Sequence, residues 1–344
     1  MTNRPPRLLA LLACVIGLAA ALAGLGAGAA TNQESPHAAR HGFAFALMGD
    51  QPSRPGDETV LNQMLAQFGL AADLAIHTGN FKGKGERCDD AVYSHRRKLL
   101  DASPIPLVLT PGENDWANCD LTAAGQFGPI ERLARLRDLF FEPDDSLGML
   151  KLSLQRQSET VRFRGYPENA RWEYGGILFV TVNVPGNHNN YRNGAGRNGE
   201  YEERIQADAA WLRQAFAMAT RLKTRGIVVA FSADPRFSGR RDSVGTGTDP
   251  YAALKTDLAR LAARYTGQVL IVHGSNARNA PHRPEQPVRI NGKPLANVTR
   301  VTTYGAARPG SWIKVSVEPR DRNVFKIDTM DTILEPPQIP LPAR

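Results

Sequence analysis

Along the first third of this chain, short apolar runs stop repeatedly at glycine followed by a carboxylate or an amide. FAFALM (43–48) runs into Gly49-Asp50-Gln51-Pro52. LAIHT (74–78) runs into Gly79-Asn80-Phe81-Lys82, and IPLVLT (105–110) into Pro111-Gly112-Glu113-Asn114-Asp115-Trp116. Runs this short, apolar at successive positions, read as strands buried on both faces. Between them the apolar period changes. Val60, Leu61, Met64, Leu65 and Phe68 predict a helix near 57–68, with Asp57 to cap its start and Gly69 to end it. Further helices are predicted near 89–100 and near 130–141, the latter with Leu133, Leu136, Leu139 and Phe140 on one face. The alternation continues through ILFVTVNV (177–184), a helix near 201–222, IVVAF (227–231), a helix near 251–264 and VLIVH (269–273). This order predicts an α/β fold with a largely parallel central sheet.

The C-terminal part changes character. VTRVTTYG, SWIKVSVEP and NVFKIDTM show no helical segment between them, and the first two alternate with period two. They predict antiparallel strands forming a second sheet packed on the first. The glycine-rich NGAGRNGE (193–200) lacks the dinucleotide fingerprint and reads as a mobile loop. There is no P-loop, so no nucleotide cofactor is expected. In open α/β sheets ligands gather at the carboxyl ends of the strands. The three turns therefore predict one shared site in which Asp50, Asn80 and Glu113 converge.

The N-terminus is set apart from this pattern. Arg4 and Arg7 precede an apolar stretch from Leu8 to about Leu25, and Ala27-Gly28-Ala29 follows. That order predicts a signal peptide over residues 1–30 and an exported, periplasmic or secreted protein. An uncleaved anchor is the alternative, and the sole route to a membrane this reading foresees. Residues 31–41 are a polar lead-in, 42–330 one domain, and 331–344 a proline-rich tail.

The whole chain carries a formal net charge of +8. Loss of residues 1–30 removes two arginines and leaves it mildly basic. This sign suits an anionic or phosphorylated small ligand. The longest basic run, Arg96-Arg97-Lys98, reads as a solvated helix face, so no specific nucleic acid is expected. Cys88 and Cys119 remain beyond the leader. In an exported chain an isolated pair reads most simply as a disulfide tying two site loops together, with free thiols as the alternative.

With these turns in hand, the sequence resembles the calcineurin-like metallophosphoesterases, in particular an exported, divergent branch whose first motif reads Gly-Asp-Thr-Pro. The resemblance runs from about Phe43 to about Arg278. It implies a four-layer α/β/β/α sandwich of two packed mixed sheets with outer helices, and a two-metal site at the strand ends. Carried over by position, Asp50 falls on the first ligand, and Pro52 stands where a histidine is expected. Asn80 falls on the carboxylate that bridges the metals, Glu113 on an asparagine ligand, and Asn114 on the histidine that protonates the leaving group. Ser232 falls on a lone histidine. Gly274, Ser275 and Ala277 fall on Gly-His-x-His.

The surviving candidate ligands are thus oxygens: Asp50, Asn80, Glu113, Asn114 and Ser275 or Asn276. They suit one hard divalent cation, Mg²⁺ or Ca²⁺, rather than zinc, iron or manganese. Two functions follow as expectations. One is a phosphoric ester hydrolase with an altered, oxygen-rich metal site, using Asn114 and His188 in catalysis and Lys82 and Arg171 on substrate. The other is a catalytically inactive binding or scaffold module in the cell envelope. Each single residue also has a plain structural reading. His77 is a hydrogen-bonded core histidine, His273 supports the site or the core, and His188 and Lys82 are solvated. Arg171 is in a structural pair, Trp116 and Trp172 are packing, and Asp115 caps its turn.

Overall fold

The computed structural model describes residues 42–193, 196, 198–237, 247–274 and 284–334. The expected signal segment 1–30, the lead-in 31–41, the candidate positions Ser275, Asn276 and Ala277, and the tail from residue 335 lie outside the described residues.

Three parallel strands follow the predicted runs: β1 (Phe43–Met48), β2 (Leu74–His77) and β3 (Leu107–Leu109). Side chains alternate across a strand. On β1, Phe45 and Leu47 therefore enter the layer between the two sheets, while Ala46 and Met48 face the helices. Both sets are fully buried, which is why the sequence shows an unbroken apolar run. Helices α1 (Glu58–Ala71), α2 (Asp90–Asp101) and α3 (Pro129–Phe140) cover the outer face with Leu61, Met64, Phe68, Leu100, Leu133 and Leu136.

A second sheet holds β4 (Gln155–Arg156), β5 (Ala170–Tyr174), β6 (Ile177–Thr181), β7 (Gly226–Phe231) and β8 (Gln268–His273). Between β6 and β7 lie a one-turn element, α4 (Gly186–Asn189), and the long α5 (Gly199–Leu222). α6 (Ala252–Arg264) lies between β7 and β8. Trp211, Phe216, Leu254 and Leu258 of α5 and α6 cover this sheet's outer face. Its inner side chains, Phe179, Val228, Ala230, Leu270 and Val272, meet Phe45, Leu47 and Ile76 of the first sheet. The result is the four-layer α/β/β/α arrangement, with two mixed sheets.

The C-terminal strands depart from expectation. After the hairpin β9 (Val288–Ile290) and β10 (Lys293–Leu295), β11 (Val298–Thr302) pairs with β8 in parallel. β12 (Ser311–Val317) runs antiparallel between β1 and β13 (Phe325–Asp331). The trailing strands thus do not form a sheet of their own; they extend both sheets. A parallel return needs only enough connecting chain, and here a hairpin supplies it in place of a helix.

Other local readings are also corrected. Asp57 does not cap α1 with its side chain; its carboxylate accepts from Ser53 and Arg54, and the helix passes through Gly69 to Ala71. Arg96 is not solvated. It is 1% exposed and pairs with Glu58 and Glu86, tying α2 to α1 and to the 83–86 turn. Gly199 and Glu200, read as loop, begin α5.

Candidate functional site

All three turns emerge at the same end of the first sheet, and two close backbone approaches lock them together. Gly79 has a φ of +90°, and a Cβ there would overlap Gly112; a Cβ on Gly112 would overlap the Asn80 amide. Only glycine permits that contact. Asp50 and Asn80 also hold left-handed backbones, φ 54° and 59°. Asp and Asn are the residues that tolerate this conformation with least strain. Asp115 is the clasp: its Oδ2 accepts the backbone N–H of Asn80 and that of Gly112, both at 2.8 Å. Its capping reading thus describes what the side chain does.

The orientation of the Asn80 amide decides the chemistry here. The Asn114 N–H donates to Asn80 Oδ1 at 2.8 Å, so that atom must be the oxygen. The amide nitrogen is thereby turned to Asp50 and donates to Oδ1 at 3.0 Å. From Asn114 an amide relay continues: Asn118 donates to Asn114 Oδ1, and Asn187 donates to Asn118 Oδ1, both at 2.9 Å. Gly186 N–H donates to Glu113 Oε2 at 3.1 Å. The second sheet closes the pocket. A Cβ on Gly274 would lie 3.8 Å from Asp50 Oδ2, and Gly274 N–H bonds Ser232 O at 2.9 Å.

Asp50, Asn80, Glu113 and Asn114 therefore share one site, with Ser232, Gly274 and the turn from Gly186 to Asn190 on its far wall. His188 lies on its rim, exposed, in the turn that brings Gly186 and Asn187 to Glu113 and Asn118. Lys82 and Arg171 are placed differently. Lys82 is 1% exposed, not solvated, and its ammonium donates to the carbonyls of Glu86 (2.8 Å) and Gly83 (3.3 Å). Arg171 lies over the Trp211 ring at 4.2 Å and donates to Gln155. His77 is a core histidine: Gly79 N–H donates to Nδ1 and Nε2 faces Gln51 O at 2.7 Å. Burial lowers its pKa to about 4. His273 is fully buried, with Nδ1 2.6 Å from Gly274 O. Trp116 and Trp172 are packed, the latter stacked on Phe179.

Cys88 and Cys119 form a disulfide, with Cα atoms 5.8 Å apart. It staples the loop after Asn80 to the loop after Glu113. Asn118, beside Cys119, was missed by sequence reasoning, as were Gly186 and Asn187. A signal existed for the last two. Asn187, His188, Asn189 and Asn190 all have φ between 48° and 57°, and a cluster of asparagines is what a left-handed turn favours.

Electrostatically the pocket is acidic. Burial raises the Asp50 pKa well above the usual carboxylate range; the Glu113 charge adds to this and the Asn80 donor opposes it. Burial pushes Asp115 up to about 7 against its backbone donors and the Lys82 charge. The two-metal centre implied by the resemblance does not fit these residues. Such a centre needs an anionic oxygen bridging both cations, and Asn80 turns an NH₂ toward Asp50 instead. Among the described residues no three His, Cys, Asp or Glu side chains gather as a metal cluster. Asp50 Oδ2 and Glu113 Oε1 accept no hydrogen bond among the described residues, so a single hard cation has two carboxylate oxygens to meet.

No family model matches the chain, and no curated protein matches it. Solved structures with similar folds include TT1561 of Thermus thermophilus, 13% identical with a TM-score of 0.43 over 85% of this chain and 100% of that one. A purple acid phosphatase, PPD1, from yellow lupin (Lupinus luteus) seeds is 13% identical with a TM-score of 0.48, over 85% of this chain and 54% of that one. A structure titled as a putative 5′-nucleotidase from Staphylococcus aureus is 12% identical with a TM-score of 0.45, over 86% and 55%. The chain thus spans about half of these last two proteins. Likeness at this level assigns neither family nor activity.

Proposed function

We propose that this chain is an exported protein of phosphoesterase-type fold that has given up two-metal hydrolysis and acts as a binding module of the cell envelope. One observation carries this reading. The Asn80 oxygen is committed to the Asn114 N–H, and the Asn80 nitrogen occupies the side facing Asp50. A hydrogen bond joins two positions that a bridging metal would otherwise join. The pocket's own charge narrows the ligand. Asp50 and Glu113 repel a bare anion, so a phosphorylated or carboxylate ligand enters with a counter-cation or not at all.

Metal analysis of the purified protein, paired with chromogenic phosphomonoester and phosphodiester substrates, tests this. Zinc, iron and manganese should be substoichiometric and hydrolysis at background. Asn80→Asp should raise transition-metal occupancy before it raises any activity. Two transition-metal ions per unmodified chain, with turnover, would sink the proposal.

A second reading, a hydrolase working with one Mg²⁺ or Ca²⁺, is favoured by the mutual repulsion of Asp50 and Glu113, which a shared cation would relieve. It requires calorimetric Mg²⁺ or Ca²⁺ binding that Asp50→Asn abolishes, together with metal-dependent turnover. Binding without turnover leaves the first reading standing.

A further inference from the structure

At the end of the sandwich opposite this pocket, the strands β1, β2, β3, β7 and β8 begin. A cleft of about 540 Å³ opens there below β7 and β8. Lys223, Arg225 and Arg322 line it, together with Thr224, Tyr265 and Asn297. No aspartate or glutamate lines it. The three basic side chains are exposed. Lys223 adopts a left-handed backbone (φ 56°) at the C-terminus of α5, a conformation more usual for glycine or asparagine.

Three of the acids at this end are already engaged. Asp73 accepts from Ala44 N–H, Asp321 pairs with Lys326, and Asp101 pairs with Arg97 and Lys151. Glu318 lies beside Gly42. The same end carries large exposed apolar side chains: Leu70 at the close of α1 (90% exposed), Met149 (72%) and Leu150 (61%), with Leu222 (42%) bordering the basic cleft. Met149 N–H bonds Ser103 O, in the connection that leads into β3, which places it at this end. Here too the chain enters β1, downstream of the apolar stretch Leu8–Leu25.

We propose that this end is a docking surface for an anionic phospholipid bilayer: Lys223, Arg225 and Arg322 meet headgroup phosphates, and Leu70, Met149 and Leu150 enter the interface. Basic side chains supply attraction to anionic headgroups, and exposed apolar ones supply burial in the interfacial layer. Both features on one end are what an anionic membrane interface requires together. The strand-end pocket would then face away from the membrane. This surface is independent of what the pocket does.

The test is vesicle co-sedimentation of the chain from Thr31. Every buried apolar residue of the described core lies between Phe45 and Val324, so that chain keeps the whole core. It should bind mixed phosphatidylglycerol–phosphatidylcholine vesicles and not phosphatidylcholine alone. Lys223→Gln, Arg225→Gln and Arg322→Gln together should weaken binding about 100-fold, roughly fivefold for each charge removed. Leu70→Ser, Met149→Ser and Leu150→Ser together should weaken it about tenfold. Lys223→Arg, which keeps the charge, should bind as the unmodified protein does. The near-ultraviolet spectrum should be unchanged throughout. Equal binding to neutral vesicles, or full binding by the folded glutamine variant, overturns the proposal. Displacement of the protein from vesicles by millimolar inorganic phosphate also overturns it, because the cleft would then be a site for soluble anions.

Discussion

The front wall of the strand-end pocket and its back wall solve the same problem by different means. The front wall, from β1, β2 and β3, consists of tight turns in backbone-to-backbone contact, clasped by Asp115 and stapled by Cys88–Cys119. The back wall is the left-handed turn Asn187–Asn190, a conformation costing roughly 1 kcal/mol or more per residue that is not glycine. A buried ionic network holds that turn. Arg204 is fully buried and donates to Asn183 O (2.9 Å), Asn189 Oδ1 (2.7 Å), Asn189 O (2.9 Å) and Glu200. Asn183 donates to Glu168, which pairs with Arg137, and Asn169 donates to Asp208. A covalent tie confines the front wall even when its packing loosens. The back wall depends on charges that are satisfied only while every partner is present.

Breaking the network should therefore cost most. Arg204→Met should leave the buried Asn189 oxygens without their donor, strip Glu200 of its cation and destabilise the fold by about 3–5 kcal/mol, read as a fall in urea midpoint. An unchanged midpoint would mean the turn is held by its local contacts alone. Removal of the staple should cost somewhat less. Cys88→Ser with Cys119→Ser frees a loop of sequence separation 31, worth about 3–4 kcal/mol in the chain-entropy model. Loss of well under 1 kcal/mol would show that Asp115 and the glycine contacts already confine these turns. The smallest effect at neutral pH should be a change of slope. Burial raises the Asp208 pKa to about 7, so the folded state holds its proton more tightly than the unfolded state does. The stability tied to that proton is complete below about pH 4 and is lost as pH rises toward 7. Asp208→Asn keeps an acceptor for Asn169 and should flatten this part of the stability–pH curve. A slope identical to that of the unmodified protein would place the titration elsewhere.

The two walls were also unequally legible. Gly79-Asn80 and Gly112-Glu113 stood out because strands buried on both faces leave unbroken apolar runs, and glycine followed by an amide or acid marks where each run stops. Arg204 gave no such signal. On paper it is one arginine among the charged positions of a long helix, much as Arg96 read as solvated. Whether a cation is buried depends on which carboxylates the fold brings to it, here Glu200 and Glu168 for one and Glu58 and Glu86 for the other. The β11 strand was misplaced for a similar reason: period-two alternation states that a strand has two unlike faces and says nothing about which neighbour it joins.

By itself the sequence determined the alternation of strands and helices and the three turns at the ends of β1, β2 and β3. These follow from local rules, because burial on two faces and the needs of a tight turn restrict residue type position by position. Tertiary structure alone decided that β11 extends one sheet and β12 the other. It also decided that Lys82 turns inward and that Asn80 presents nitrogen rather than oxygen to Asp50. An asparagine side chain carries a donor and an acceptor of nearly equal size, and no sequence rule orients it. The Asn114 N–H, brought alongside by the contact of Gly79 with Gly112, fixes the choice and with it the chemistry available to the pocket.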